Sequence, residues 1–336
     1  MQISVLGAGA WGTTLAQLLS KKGNKTLLWV REKELFEKLQ ETRENVLFLP
    51  GISLSKNLSF TQDLSEIISW SSIIIFVTPT RFIQSLGKNI ASLLLKNDKK
   101  LFLNVSKGIE KDSFLTGTFI LKNIFGNIHE YAALSGPNIA QEVANEQFSK
   151  CVIASSNPKK LNLLKDIFQT DHFRIYCSND LKGIELAGAL KNVVSLALGL
   201  CDGLGLSLNT KSALFSRGLY EMTIIGKALG AQAQTFYGLA GVGDLITSSF
   251  TPSARNRFTG ELLGKGKYLK EIVAIMDGKT SEGIYTVEAV HQWNIKKRLN
   301  LPISENLYQL IYLKKDPQKT FLDIWNQQDE EDVCGF

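Results

Sequence analysis

A short apolar run followed at once by three glycines at fixed spacing constrains this chain more than any other feature. Residues 2–6, QISVL, have the composition of a strand. Gly7, Ala8, Gly9, Ala10, Trp11 and Gly12 then spell G-x-G-x-x-G, and residues 10–21 continue with helical periodicity. Each glycine answers a steric demand: a sharp bend, a close approach of a bulky group to the main chain, and tight contact between helix and strand. The unpaired N–H groups and partial positive charge at the start of the helix suit an anion, and the strand–turn–helix setting makes that anion a dinucleotide pyrophosphate.

The next elements repeat the pattern. Strand-like runs fall at 25–30 (KTLLWV), 73–77 (IIIFV), 101–105 (LFLNV), 132–135 (AALS), 151–154 and 173–177. Helical patterns separate them near 82–95, 116–124 and 158–168. Alternation of this kind predicts a doubly wound parallel sheet of Rossmann type, with ligands at the carboxyl ends of its strands. Three polar motifs lie at such ends: Thr78-Pro79-Thr80, Ser106-Lys107-Gly108-Ile109-Glu110 and Gly136-Pro137-Asn138-Ile139-Ala140. From about residue 179 only helical patterns follow. The expected architecture is therefore α/β, with a dinucleotide-binding domain over 1–179 and an all-α domain over 180–336.

At the end of the second strand, Arg31 precedes Glu32. An acid near this place favours the ribose 2′-hydroxyl of NAD, whereas an arginine accommodates a 2′-phosphate. Arg31 predicts that NADPH is accepted and preferred, with NADH as the other candidate.

Among 336 residues, 38 Lys and Arg against 32 Asp and Glu leave a formal charge of +6, but the basic residues are scattered. This balance fits an enzyme with anionic substrates and argues against nucleic acid as a partner. The four cysteines, Cys151, Cys177, Cys201 and Cys334, form no C-x-x-C pair, and with three histidines there is no metal-ligand cluster. Reduced thiols and a cytoplasmic setting are expected. The first residues carry no basic n-region or cleavage site. One stretch, 186–200, is apolar enough to raise the question of a membrane, but Lys191 and Asn192 near its middle point to a buried helix. The acidic stretch 329–332 is expected to fray.

On the helix predicted over 181–200, one turn either side of Lys191 lie Ala187, Gly188, Val194 and Ser195. A lysine on a face of mainly small side chains can be desolvated by a ligand, which lowers its pKa toward the range useful for proton transfer. Asp244 sits among Gly238, Gly241 and Gly243, as backbone packed closely around a fixed carboxylate would require. Arg255 and Asn256 offer a planar fork and an amide suited to a phosphate dianion.

Taken as a set, GAGAWGTTLA, SKGIE, SGPNIA, ALKNVVSLALGL, GLAGVGDLI, ARN and SEGI resemble, in order and over residues 7–284, the motifs of the bacterial NAD(P)-dependent glycerol-3-phosphate dehydrogenase family. The resemblance implies interconversion of dihydroxyacetone phosphate and sn-glycerol 3-phosphate by hydride transfer, feeding phospholipid synthesis, in a homodimer. It implies that Lys191 donates and accepts the proton, that Lys107 assists near substrate and nicotinamide, and that Asp244 is the site carboxylate. By motif position Gly136, Asn138, Ala254, Arg255 and Asn256 join them in holding the substrate. Gly7, Gly9, Ala10, Trp11, Gly12, Arg31, Lys107, Ala140, Arg255, Thr280 and Glu282 fall where the family meets its dinucleotide.

Two positions depart from the family pattern: Ala254 stands where it commonly has Ser, and Asn138 where it has Thr or Ser. The backbone N–H of Ala254 and the amide of Asn138 are expected to retain part of the lost hydrogen bonding. Two other readings compete. A related two-domain reductase of hydroxy or keto acids would want a carboxylate pocket instead of a phosphate one. A dinucleotide-sensing binding module would leave Lys107, Lys191 and Asp244 without a task.

Overall fold

The computed structural model describes residues 1–95 and 98–327; Cys334 and the acidic stretch 329–332 lie outside the described residues. The chain divides into two compact units, Met1–Ser106 with Gly117–Leu181, and Lys107–Thr116 with the chain from Lys182 onward.

In the first unit the strands are β1 (Gln2–Leu6), β2 (Lys25–Trp29), β3 (Glu44–Asn45), β4 (Leu49–Ser53), β5 (Leu58–Thr61), β6 (Ile73–Phe76), β7 (Leu101–Asn104), β8 (Glu130–Ser135), β9 (Ser149–Ser155) and β10 (Phe173–Ser178). The helices are α1 (Ala10–Lys21), α2 (Lys33–Thr42), α3 (Leu64–Trp70), α4 (Ile83–Ala91), α5 (Gly117–Phe125), α6 (Ala140–Ala144) and α7 (Pro158–Phe168). Eight strands form one sheet in the order β10-β9-β8-β7-β6-β1-β2-β5, and β3 pairs with β4 in a separate ribbon. The central strands β6 and β7 are buried at every residue, as their unbroken apolar runs require when helices cover both faces. The edge strand β10 alternates buried and exposed residues over its first four positions.

The expectation of an all-parallel sheet is corrected. From β5 to β8 neighbouring strands are parallel, but β9 runs antiparallel to β8 and carries β10 with it, parallel to itself. The connection from β8 to β9 holds only the five-residue α6, so the chain doubles back instead of crossing the sheet face. The strand run 101–105 ends at Asn104, and the helical pattern over 82–95 shrinks to Ile83–Ala91 after a 3-10 turn at Thr80–Phe82.

The second unit contains helices α8 (Leu181–Gly203), α9 (Leu208–Ala228), α10 (Asp244–Phe250), α11 (Arg255–Gly264), α12 (Leu269–Ile275), α13 (Glu282–Lys297), α14 (Pro302–Leu313) and α15 (Pro317–Trp325). Helix α8 is buried at every residue from Gly183 to Cys201, which identifies it as the core of this unit. It is long and apolar enough to cross a membrane, yet its apolar window is wholly covered by protein. Glycines let α11 press against it. A Cβ on Gly260 would lie 2.1 Å from the Leu196 carbonyl oxygen, and one on Gly199 would lie 2.1 Å from that of Arg257. That close crossing brings the start of α11, with Arg255 and Asn256, to the side of α8 that carries Asn192.

Candidate active site

In the first unit the turn after β1 has the shape its glycines foretell. Gly7 has φ +119, a conformation side chains resist, and a Cβ on Gly12 would meet the Gly7 carbonyl oxygen at 1.9 Å. A Cβ on Gly9 would meet nothing within 4 Å, so the main chain is open to a large group there. Gly9 is also the N-cap of α1 and offers no side chain to the helix's first amides. Open backbone, unclaimed amides and the helix dipole together make a cradle that fits a pyrophosphate. Ala10 and Trp11 open α1, and Trp11 packs its ring 6.5 Å from that of Phe173. Arg31 follows β2 and is exposed; its guanidinium pairs with the Glu32 carboxylate, Nε at 2.9 Å and Nη2 at 2.6 Å.

Gly136 and Asn138 lie just past the carboxyl end of β8. Gly136 has φ +147, and a Cβ there would come within 2.9 Å of the Cys151 Cα. Both amide atoms of Asn138 are buried without a hydrogen-bond partner in the protein, as are the hydroxyls of Thr78 and Ser135. Buried polar atoms of that kind are normally satisfied, so these carry a desolvation cost that the protein's own groups leave unanswered. Ala140 is the first residue of α6, and its carbonyl accepts from the Thr14 hydroxyl at 3.1 Å.

The charged centre lies in the second unit. A five-residue π-turn, Leu239–Gly243, delivers the chain into α10, and a Cβ on Gly241 would lie 1.9 Å from the Phe236 carbonyl oxygen. The tightly wound backbone fixes Asp244 at the first position of α10, with 3% of its side chain exposed. Lys191 donates to Asp244 Oδ1 and Lys107 to Asp244 Oδ2, each at 2.5 Å. The Lys191 side chain is 6% exposed and that of Lys107 22%, so one carboxylate lies between a buried ammonium and a partly buried one. Burial pulls the Lys191 ammonium down to about 8; Asp244 opposes this and Lys107 adds to it. Two cations against one anion leave a net positive site, where negative charge developing on a ligand oxygen is stabilised.

Asn192, Ser195 and Ser248, to which the motif reading gave no part in the site, help hold this centre together, as does Asn256. Lys191 also donates to the Ser248 hydroxyl, one turn beyond Asp244 on α10. Ser195, one turn beyond Lys191, donates to the Ser248 carbonyl at 2.7 Å. Asn192 Nδ2 donates to the Lys107 carbonyl at 3.1 Å, and Asn192 Oδ1 accepts from Asn256 Nδ2 at 2.8 Å. The Asn256 Oδ1 accepts the Gly283 N–H at 2.9 Å. The Ser248 signal was its place four residues after Asp244; for Asn192 it was adjacency to Lys191.

The phosphate-directed pair therefore divides. Arg255, the first residue of α11, is exposed, whereas the Asn256 amide ties α11 to α8 and α13. The expectation that the Ala254 N–H stays available to a ligand is corrected: it donates to the Thr251 carbonyl at 3.0 Å, because Ala254 closes the turn that starts α11. Thr280 and Glu282 flank the start of α13, where the Thr280 hydroxyl meets that of Tyr285 at 3.0 Å.

Comparison with known proteins gives a consistent answer. Residues 2–161 match the NAD-dependent glycerol-3-phosphate dehydrogenase N-terminus and residues 180–322 the C-terminus of the same family. A relative from Citrifermentans bemidjiense, named glycerol-3-phosphate dehydrogenase [NAD(P)+], is 41% identical over 325 residues, 96% of each chain. One of the same name from Thermoanaerobacter sp. is 36% identical over 100% of both. The crystal structure of glycerol-3-phosphate dehydrogenase from Coxiella burnetii superposes with a TM-score of 0.92 at 30% identity, covering 97% of this chain and 99% of that one. With both halves matched in order and the relatives spanned almost end to end, this chain belongs to the NAD-dependent glycerol-3-phosphate dehydrogenase family.

Proposed function

We propose that this chain is an oxidoreductase that interconverts sn-glycerol 3-phosphate and dihydroxyacetone phosphate with NADPH or NADH, and so supplies glycerol 3-phosphate for phospholipid synthesis. The observation that carries this reading is the buried Lys191 ammonium, which shares the Asp244 carboxylate with Lys107. The reduced dinucleotide, once bound, supplies a hydride to carbon 2 of the ketone. What the protein must add is a proton for the carbonyl oxygen and positive charge to stabilise it meanwhile. Lys191 Nζ gives that proton in reduction and takes it back in oxidation; with burial holding it near 8, both forms are accessible at neutral pH. Lys107 supplies the second positive charge, and Asp244 holds the two ammoniums at a fixed spacing.

Substrate binding is assigned to Lys107, Gly136, Asn138, Lys191, Asp244, Arg255 and Asn256; Ala254, whose N–H is taken by the Thr251 carbonyl, drops out of the set. Arg255 takes the phosphate, with Asn256 fixing the helix start from which Arg255 projects. Remote phosphate binding contributes free energy that orients the carbonyl. The dinucleotide is assigned to Gly7, Gly9, Ala10, Trp11, Gly12, Arg31, Lys107, Ala140, Arg255, Thr280 and Glu282. Within this reading residues 1–179 form the dinucleotide-binding domain with its glycine turn, and 180–336 carry the proton donor Lys191 and its carboxylate partner Asp244. Arg31 at the end of β2 favours NADPH through its 2′-phosphate once it exchanges Glu32 for that group. A cytoplasmic homodimer completes the proposal: the free thiols of Cys177 and Cys201 suit a reducing compartment, and the assembly follows the family resemblance.

The test is kinetic. Lys191→Ala is expected to abolish turnover of dihydroxyacetone phosphate while NADPH binding, followed by nicotinamide fluorescence, persists. Substantial residual activity would remove Lys191 from its role. Equal or better turnover with NADH than with NADPH would remove the assignment of Arg31.

A further inference from the structure

We infer that the segment Lys107–Thr116 is a strap whose task is to position the Lys107 ammonium, and that the stack of Phe114 on Trp293 is its latch. The inference rests on the proposed role of Lys107 and deepens it.

The strap lies between β7 and α5 in sequence, yet it packs with the helical unit. It is closed on itself by an antiparallel bridge between Ile109 and Thr116 and by Glu110 N–H donating to the Leu115 carbonyl at 2.8 Å. The Glu110 carboxylate accepts from both the backbone N–H and the hydroxyl of Ser113, at 2.7 and 2.6 Å. Three further ties fasten this closed loop to helices. Thr116 donates to the buried Glu185 carboxylate of α8 at 2.5 Å. Lys111 pairs with Glu288 of α13 at 2.5 Å. The Phe114 ring lies 4.8 Å from the Trp293 ring of α13 at an interplanar angle of 6°.

Phe114 is the informative member. Its φ is +55, a left-handed conformation that costs backbone free energy for any residue with a Cβ. Two contacts hold it: the Phe114 N–H donates to the Glu110 carbonyl at 2.9 Å, and the stack on Trp293 fixes the ring. The lysine at the head of the strap needs such help. Its ammonium rides on a flexible four-carbon stem, so its aim depends on where its backbone is held. The Lys107 carbonyl is pinned by Asn192, the neighbour of Lys191 on α8, so the strap and the proton donor share one support. Phe114 and Trp293 touch neither reacting atoms nor Asp244; they are positioning residues that act through Lys107.

Reduction kinetics and hydrogen exchange of 107–116 are measured for the intact protein and for Phe114→Ala, Phe114→Gly, Trp293→Leu and the double variant. Phe114→Gly accepts φ +55 without strain and so removes the ring while keeping the fold. Each single variant is expected to lower kcat/KM about tenfold, the scale of a small misplacement at a reacting centre, with no further loss in the double variant. Phe114→Tyr restores the wild-type value. In a Lys107→Ala background Phe114→Gly adds no loss. Amide exchange of 107–116 rises about tenfold in Phe114→Gly. The inference is overturned if Phe114→Gly leaves exchange and kinetics at wild-type values, or if its loss multiplies that of Lys107→Ala. If the wild-type chain reduces no dihydroxyacetone phosphate, the proposed function fails, and the exchange measurement alone then decides for or against the latch.

Discussion

Lys191 can serve as an acid only while it carries its proton, and burial brings that condition into the working range. Its ammonium is held near 8, below the ordinary lysine value. Below that pH it is protonated and competent for ketone reduction; above it the neutral amine is competent for alcohol oxidation. The rate of reduction is therefore expected to fall as pH rises through about 8, while oxidation rises over the same interval. Because Asp244 favours the charged form, Asp244→Asn should move that break to lower pH as well as slow the reaction. Steady-state kcat in both directions between pH 6 and pH 10, a window of about two units either side of the break, checks this. Identical flat profiles would contradict it. At this scale the site was partly legible. The glycines around Asp244 announced a fixed carboxylate, whereas the desolvation of Lys191, expected from a ligand lying on small residues, comes from the protein packed around α8. What Asn256 and the Ala254 N–H do was not legible, because their partners, Asn192, Gly283 and Thr251, depend on which helices cross and on how the turn before α11 closes.

Among elements, the start of α14 shows how the helical unit holds its parts in register. Two of its backbone amides, Ile303 and Ser304, donate at 2.8 and 2.9 Å to Glu221, a buried carboxylate on α9, and the Ser304 hydroxyl joins them. A helix N-terminus buried in this way would leave unsatisfied donors without that carboxylate. Glu221→Ala is expected to cost roughly 2–4 kcal/mol, the combined scale of a lost cap and two stranded amides. Urea unfolding would read it; a change under about 0.5 kcal/mol, the size of an ordinary surface substitution, would sink the idea. Elements with strong local signals were readable in advance: α1 and α7 span the ranges that the helical pattern predicts, 10–21 and 158–168. The reversal at β9 was not, since apolar runs carry no strand direction. Nor was the strap, because SKGIE reads as a strand-end motif and nothing local says that the residues after it join α8 and α13.

For the whole molecule, the glycine turn gives one unit a cradle for a dinucleotide, and the shared carboxylate gives the other a positive, proton-bearing centre. A phosphate on the substrate is what separates this family's chemistry from that of other two-domain reductases. Arg255 is the residue assigned to it. Loss of a charge-assisted contact of that kind should raise KM for the phosphorylated ketone about tenfold or more in Arg255→Ala. An unchanged KM would take Arg255 out of the phosphate site. The most direct measurement compares dihydroxyacetone phosphate with unphosphorylated dihydroxyacetone and simple keto acids, each in a single assay of NADPH oxidation by the wild-type protein. The account predicts turnover with the phosphorylated ketone and at least about a hundredfold lower kcat/KM with the others, the discrimination expected when remote phosphate binding drives the reaction. Comparable or better turnover of an unphosphorylated ketone or keto acid, or NADPH binding with no ketone reduced, would contradict it.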